Sequence, residues 1–188
     1  MESPETDGGM RMELDQAIRG RRSIRKYTDR DVEDDKIKAL LEAAYWAPRV
    51  NERWVFIVVR DPETKKVLSR YDAESGRTQP HVANAPVDIV VCTDLRGASE
   101  RDRRLYAMQE ASAAIQNILL KAYDLGLGSC WNGSFDDDAV KNVLGLPEGV
   151  EPIAIISLGY PAESGRGIRR KKLEDIVHWE RWGNRRPF

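Results

Sequence analysis

The segment 104–125 constrains the fold most, because as a helix it would be apolar on most of its sides. One stripe along it contains Leu105, Met108, Ser112, Ile115, Leu119 and Ala122, and Ala111, Ala114 and Ile118 widen that stripe. A helix of this kind lies at the centre of a domain or in a subunit interface. Gly126 is the expected glycine after its last turn.

Around this helix the pattern alternates between helical and strand periodicity, which indicates an α/β or α+β domain. Strands are expected at 54–59, 87–92, from residue 128, and at 153–161. Helices are expected at 14–20, 34–46, 62–70 and up to 144, the last opened by a capping box of Ser134 and Asp137. Residues 1–12 are interpreted as a flexible tail and 13–188 as a single domain.

Composition excludes several classes of function. The net charge of −1 argues against nucleic-acid or membrane binding driven by overall charge. Apolar runs are far shorter than the roughly 20 residues that span a bilayer, and the first twelve residues lack the apolar core of a secretory signal. Cys92 and Cys130 lie in apolar segments, which favours buried free thiols and a cytoplasmic location. His81 and His178 are the only histidines, and no ligand spacing for a metal is present.

The basic segment RRSIRKY, residues 21–27, is the first candidate binding element. Arg21, Arg22, Arg25 and Lys26 surround the hydroxyl of Ser23. Forked guanidinium donors and a hydroxyl suit a doubly charged phosphate. A solvated basic surface is the simpler alternative, and a nucleic-acid patch lacks the interleaved aromatic residues that stack on bases.

Two further segments could contribute to the same site. GLGSCWNGSF, with glycines at 126, 128 and 133, permits close approach of a flat ligand, or is simply a strand after a glycine-capped helix. IRRKK, residues 168–172, is a second basic cluster or a solvated charge run. No nucleophile–base or paired-carboxylate constellation can be assembled, so a cofactor should carry any reaction.

Together these motifs resemble the nitroreductase family of FMN-dependent oxidoreductases. The resemblance rests on RRSIRKY, the AP…N…WVFIVV stretch, QEASAAIQN, LGLGSCWNGSF, AIISLGYP and LEDIVHW, in that order over about residues 13–183. It implies an α+β fold with a mostly antiparallel sheet wrapped by helices. It also implies an intertwined homodimer with two FMN sites, each built from both subunits.

The resemblance assigns roles to individual residues. Arg21, Arg22, Ser23 and Arg25 would hold the FMN phosphate and ribityl chain. The turn formed by Asn132, Gly133 and Ser134 would lie against the flavin ring, with its amides near N5 and O4. Arg170 would also grip the phosphate, with Arg169 or Lys171 as alternatives. His81 would be either a flavin contact or a solvent-facing loop histidine.

One loop departs from the family pattern. Relatives carry a loop of the type P-S-x-x-N-x-Q-P-W, whereas this chain has PRVNERW, which is shorter by about two residues. Asn51 would keep its contact with the FMN of the partner subunit. Arg49 takes the place of the serine, and its guanidinium would either point at the acceptor as a substrate-binding group or bridge to the FMN phosphate region.

The implied reaction is ping-pong. NAD(P)H would reduce the flavin through N5, and a nitroaromatic, quinone or similar small-molecule acceptor would then take the electrons. The alternative is an FMN-binding protein of the same fold without nicotinamide-dependent turnover, such as a dehalogenase-like, flavin-cleaving or flavin-carrier protein.

Overall fold

A computed structural model describes residues 12–167 and 169–187, apart from the side chain of Arg104. The tail expected over residues 1–12 therefore lies outside the described residues except for Met12. No helix in the described part of the chain is long and apolar enough to cross a membrane. The same residues contain no group of three or more His, Cys, Asp or Glu side chains able to hold a metal ion.

A four-stranded sheet forms the centre of the molecule, in the order β1-β2-β4-β3. Its strands are β1 (Trp54–Val59), β2 (Val87–Asp94), β3 (Gly128–Asn132) and β4 (Val150–Gly159). Every neighbouring pair is antiparallel, so the predicted α+β class with an antiparallel sheet is confirmed. The two central strands are buried on both faces, and every position of β2 except Asp94 is buried.

Within the described residues, six α-helices surround the sheet: α1 (Leu14–Gly20), α2 (Asp34–Tyr45), α3 (Pro62–Leu68), α4 (Pro80–Ala83), α5 (Ala107–Asp124) and α6 (Asp137–Leu144). A π-helical turn, Asp102–Tyr106, leads into α5, and a 3₁₀ turn, Leu173–Asp175, follows β4. The strand and helix positions expected from periodicity are thus largely reproduced. The exception is α4, in a region that carries no helical pattern.

Helix α5 is the central helix. Ala111, Ala114, Ile115 and Ile118 are fully buried in one cluster with α2 and the sheet. Leu105 and Met108, which belong to the same predicted stripe, remain 42% and 50% exposed. Gly126 adopts φ +73° after the helix, as expected, and the next amide, Leu127 N–H, donates to Ala122 O at 2.8 Å.

The predicted capping box at the start of α6 is wrong. Asp136, not Ser134, is the N-cap residue, and its side chain accepts a hydrogen bond from the Ala139 backbone N–H at 3.0 Å. A carboxylate at this position satisfies a free helix amide and interacts favourably with the helix dipole. Ser134 is therefore left outside the helix, in the turn that follows β3.

Candidate active site

The basic segment 21–27 runs in extended form beside edge strand β3. The Ile24 N–H donates to Ser129 O at 2.9 Å, and the Ala162 N–H donates to Lys26 O at 2.9 Å. A Cβ on Gly128 would lie 2.8 Å from the Cβ of Ile24, so the close approach of the two segments requires glycine at this position. The arginines of the segment are thereby fixed at the β3 side of the sheet.

A cleft of about 350 Å³ lies at the start of this segment, and Arg21, Arg22 and Ser129 line it. Burial lowers the pKa of Arg21, and the charges of Arg170 and Arg22 lower it further. Three cations are therefore close enough to repel one another. Within the described chain, none of the three forms an ion pair with a carboxylate. Such a cluster is satisfied by an anion from solution.

The segment after β4 brings the charge of Arg170 close enough to act on Arg21. Gly165 adopts φ +75°, and a Cβ on it would approach the Cβ of Arg22 to 2.6 Å. Among the three basic residues considered for phosphate binding, Arg170 is the one whose charge acts on Arg21. All three residues are exposed, and neither Arg169 nor Lys171 is among the charges that shift the pKa of Arg21. The cluster of cations and the cleft beside it fit the phosphate end of FMN.

A second cleft of about 540 Å³ lies on the other side of the segment. Ser23, Arg25 and His81 line it, together with Arg166. Glu163 borders both clefts, and its Oε1 accepts a hydrogen bond from the Arg25 backbone N–H at 2.7 Å. The structure therefore brings all four residues predicted from RRSIRKY to two adjoining clefts.

The turn after β3 presents its backbone to solvent. Gly133 and Ser134 are exposed, and their N–H groups donate to no backbone carbonyl in the described chain. The Ser134 carbonyl is held by Gln79, whose Nε2 donates to it at 2.6 Å. Asn132 differs from these two, because its side chain is buried and bonded to the sheet. The turn therefore offers two free amide donors on a fixed frame.

The interpretation of His81 as a solvent-facing loop residue is wrong. His81 lies on α4, is half-buried, and has its Nε2 2.6 Å from Asn132 Oδ1. Burial lowers the pKa of its imidazole, the hydrogen bond to Asn132 opposes that shift, and the charge of Arg25 adds to it. No sequence signal paired these residues, because they are 51 positions apart.

The shortened loop that carries Arg49 and Asn51 lies at the sheet edge opposite the arginine cluster. It precedes β1, the edge strand opposite β3, and three strand spacings of about 4.8 Å put the two edges about 14 Å apart. Asn51 donates through Nδ2 to Asp102 Oδ1 at 2.6 Å, and Arg49 Nε lies 2.9 Å from Glu52 Oε1. One protomer therefore does not bring Arg49 and Asn51 together with the arginine cluster.

Two buried carboxyl groups were not identified from the sequence. Glu110 is 3% exposed on the buried face of α5 and binds the shortened loop. Asp88 is fully buried on β2, and neither of its oxygens has a hydrogen-bond partner of good geometry among the described residues. Burial raises the pKa of Asp88 well above its usual value. In the sequence, both residues could have been recognised as acidic side chains within otherwise apolar segments, where a buried charge is unusual.

Comparison with known proteins identifies related chains. The model of the nitroreductase family matches residues 18–76 and 66–160. A protein of Methanothermobacter thermautotrophicus with the provisional name NADH dehydrogenase/NAD(P)H nitroreductase is 39% identical over 178 residues, covering 92% of this chain and 89% of that one. The NADH dehydrogenase of Thermus thermophilus is 34% identical, covering 85% of this chain and 92% of that one.

Solved structures show the same relationship. The FMN-dependent nitroreductase of Clostridium difficile superimposes with a TM-score of 0.75 at 31% identity, over 88% of this chain and 98% of that one. The family match, the sequence relatives and the shared fold all point to the same family. The chain therefore belongs to the nitroreductase family.

Proposed function

We propose that the protein is an FMN-dependent oxidoreductase that passes electrons from NAD(P)H to a nitroaromatic, quinone or similar small-molecule acceptor. The observation that carries this proposal is the cluster of Arg21, Arg22 and Arg170, which has no carboxylate partner in the described chain and stands beside a cleft. Relatives named FMN reductase in Bacillus subtilis support the cofactor and the electron donor.

The positions of the residues support the following proposed roles. Arg21, Arg22 and Arg170 bind the phosphate, and Ser23 and Arg25 bind the ribityl chain in the adjoining cleft. The free amides of Gly133 and Ser134 orient the ring edge that carries N5 and O4, while Asn132 supports the turn from below. Bound FMN supplies hydride transfer and stores two electrons between two successive substrates.

The site is completed by a second subunit. Asn51 and Arg49 lie at the sheet edge opposite the arginine cluster, and in the proposed homodimer they contact the cofactor bound by the other protomer. Leu105 and Met108 on the entry to α5 and its first turn stay exposed in one chain and supply apolar surface for that interface. Because Cys92 and Cys130 are both free and buried, the proposed location is the reducing cytoplasm.

An anaerobic titration tests the function. The purified protein should be yellow, extraction should release FMN, and NADH or NADPH under argon should bleach the colour. Adding a quinone should restore the colour and consume one donor per acceptor. A yellow protein that NAD(P)H does not bleach would instead identify an FMN-binding protein without nicotinamide-dependent turnover. A protein that binds no flavin after incubation with FMN would falsify the proposal.

A variant tests where the phosphate binds. Arg21→Ala removes a charge-assisted contact of roughly 1.5–3 kcal/mol, so FMN affinity should fall about 10- to 100-fold. Fluorescence titration of FMN measures it. Lys38→Ala is the matched control, because Lys38 is an exposed cation on α2 that pairs with Glu42. Equal affinity in the Arg21 variant and the control would show that the phosphate binds elsewhere.

A further inference from the structure

The side-chain amide of Asn132 has a single possible orientation. Its Nδ2 lies 2.9 Å from the Ile155 carbonyl oxygen and 2.8 Å from the Ser157 hydroxyl oxygen. A backbone carbonyl can only accept, so the atom facing Ile155 must be the NH₂ group. Because Asn132 is 4% exposed, water cannot substitute for these partners. The Oδ1 atom therefore faces the opposite way, toward α4, and acts there as an acceptor.

This orientation determines the tautomer of His81. Its Nε2 lies 2.6 Å from Asn132 Oδ1, and an amide oxygen requires a donor at that distance. Nε2 therefore carries a hydrogen in both the neutral and the charged ring. The lone pair of the neutral ring is at Nδ1, which has no hydrogen-bond partner among the described residues. Nδ1 is thus the only nitrogen that can gain a proton without breaking the bond to Asn132.

The surroundings of His81, burial first and then the charge of Arg25, favour the neutral ring. Arg25, Lys26 and Arg166 line the same cleft with one carboxylate, Glu163, and Asn132 contributes no charge. Burial and the charge of Arg25 lower the pKa of His81, although the hydrogen bond to Asn132 opposes them. Negative charge brought into the cleft would offset the surrounding cations and favour a proton on the ring.

We propose that His81 takes up a proton at Nδ1 when the cofactor in this cleft is reduced, and that Asn132 is the positioning residue that reserves Nδ1 for it. This inference rests on the proposed function. The nicotinamide would deliver one proton and two electrons together as hydride, and one solvent proton would bind at His81 Nδ1 to balance the added negative charge. The acceptor later removes the hydride, and the proton leaves Nδ1 with the product or to solvent.

The first test reads the tautomer and does not depend on activity. Imidazole nitrogens can be followed by proton–nitrogen correlation NMR on the FMN-free protein, which has only two histidines. His178→Gln assigns the signals. His81 should keep its hydrogen on Nε2 at all pH values and should titrate at Nδ1 below about 6.5, the usual value. A hydrogen on Nδ1 in the neutral ring would overturn the inference.

The second test counts protons. The midpoint potential of bound FMN is measured at several pH values between about 5 and 8, where histidines titrate. His81→Gln should lower the number of protons taken up per two electrons by about one within part of that range, whereas His178→Gln should leave it unchanged. Bound FMN with the same pH dependence in the His81 variant and wild type overturns this inference alone. Failure to bind FMN overturns the proposed function as well.

Asn132→Asp tests the positioning role. A carboxylate facing Nε2 stabilises the charged ring, so His81 should already be protonated at neutral pH and the redox-linked proton uptake should disappear. If that variant fails to fold, Ser157→Ala provides a second route, because it removes one of the partners that orient the amide. An unchanged His81 titration in every folded variant at position 132 or 157 would contradict the role of Asn132.

Discussion

The Glu110 carboxylate oxygen Oε2 lies 3.2 Å from the backbone nitrogen of Asn51, and this contact is one of four. The backbone N–H groups of Val50 and Glu52 donate to the same oxygen, and that of Arg53 donates to Oε1. A single side chain of α5 therefore satisfies the backbone of the shortened loop, including Glu52, which adopts φ +51°. The loop that carries Arg49 and Asn51 is thus shaped from within the same protomer.

Glu110→Gln should destabilise this loop. An amide presents an NH₂ group to donors that need an acceptor, and each unsatisfied buried donor costs about 1–3 kcal/mol. The free energy of unfolding in urea should fall by about 2 kcal/mol or more, and amide exchange should accelerate at residues 50–53. Glu52→Gln is the matched control, since its exposed side chain only pairs with Arg49. Its effect should stay within about 0.5 kcal/mol.

Asp88 predicts a particular dependence of stability on pH. Its pKa is raised in the folded state by burial, although the Lys65 charge and the nearby Ser157 hydroxyl oppose that shift. Above the unfolded value of about 3.9, the folded protein therefore binds more protons at this group than the unfolded chain does. The stability contribution of Asp88 is consequently present at low pH and is lost as pH rises toward the folded pKa.

Asp88→Asn removes this titration without a large change of shape. The variant should unfold at a higher urea concentration than wild type at pH 8 and should lose most of the advantage at pH 4. One unit of pKa difference corresponds to about 1.4 kcal/mol. Asp29→Asn, in an exposed loop, serves as the control and should follow wild type at both pH values. A parallel pH profile for the Asp88 variant would show that this carboxyl ionises normally.

The limits of the sequence are clearest at His81 and Asn132. Strand β1 was predicted at 54–59 and observed there, because apolar runs and turn residues are local signals. The hydrogen bond between His81 and Asn132 joins residues 51 positions apart and depends on α4, a helix of four residues. Likewise, the four donors bound by Glu110 are backbone N–H groups, and these are the same for every residue type except proline, so the sequence does not indicate them. The sequence motifs therefore indicated the arginine cluster, whereas the contacts that support it could be recognised only from the fold.

Dimerisation should depend on the exposed end of the central helix. Leu105 is 42% and Met108 50% exposed in one chain, although both lie on an otherwise buried stripe. Light scattering should give about twice 21.4 kDa for the wild-type protein. Replacing both residues by Glu should produce a monomer and weaken FMN binding, because Asn51 then no longer reaches the other protomer's site. Lys38→Ala, on the exposed surface of α2, is the control and should remain dimeric.

Arg49 is expected to influence which acceptor the protein uses. Its side chain is 56% exposed, and its guanidinium is partly neutralised by Glu52 at 2.9 Å. In the proposed dimer the guanidinium donors stand beside the acceptor, where a forked cation attracts nitro or quinone oxygens and narrows the opening. Arg49→Ser should therefore leave FMN bound and donor oxidation nearly intact.

The effect of that variant should appear in KM. The KM for acidic or nitro acceptors should rise several-fold in Arg49→Ser, and the preference for small over bulky quinones should weaken. Glu52→Gln should lower the KM for the same acceptors, because it releases the Arg49 guanidinium from its ion pair. Steady-state kinetics with one small and one bulky quinone compare the two variants. Loss of FMN from Arg49→Ser would show that Arg49 binds the cofactor. Equal changes with both quinones would show that Arg49 serves the structure of the loop.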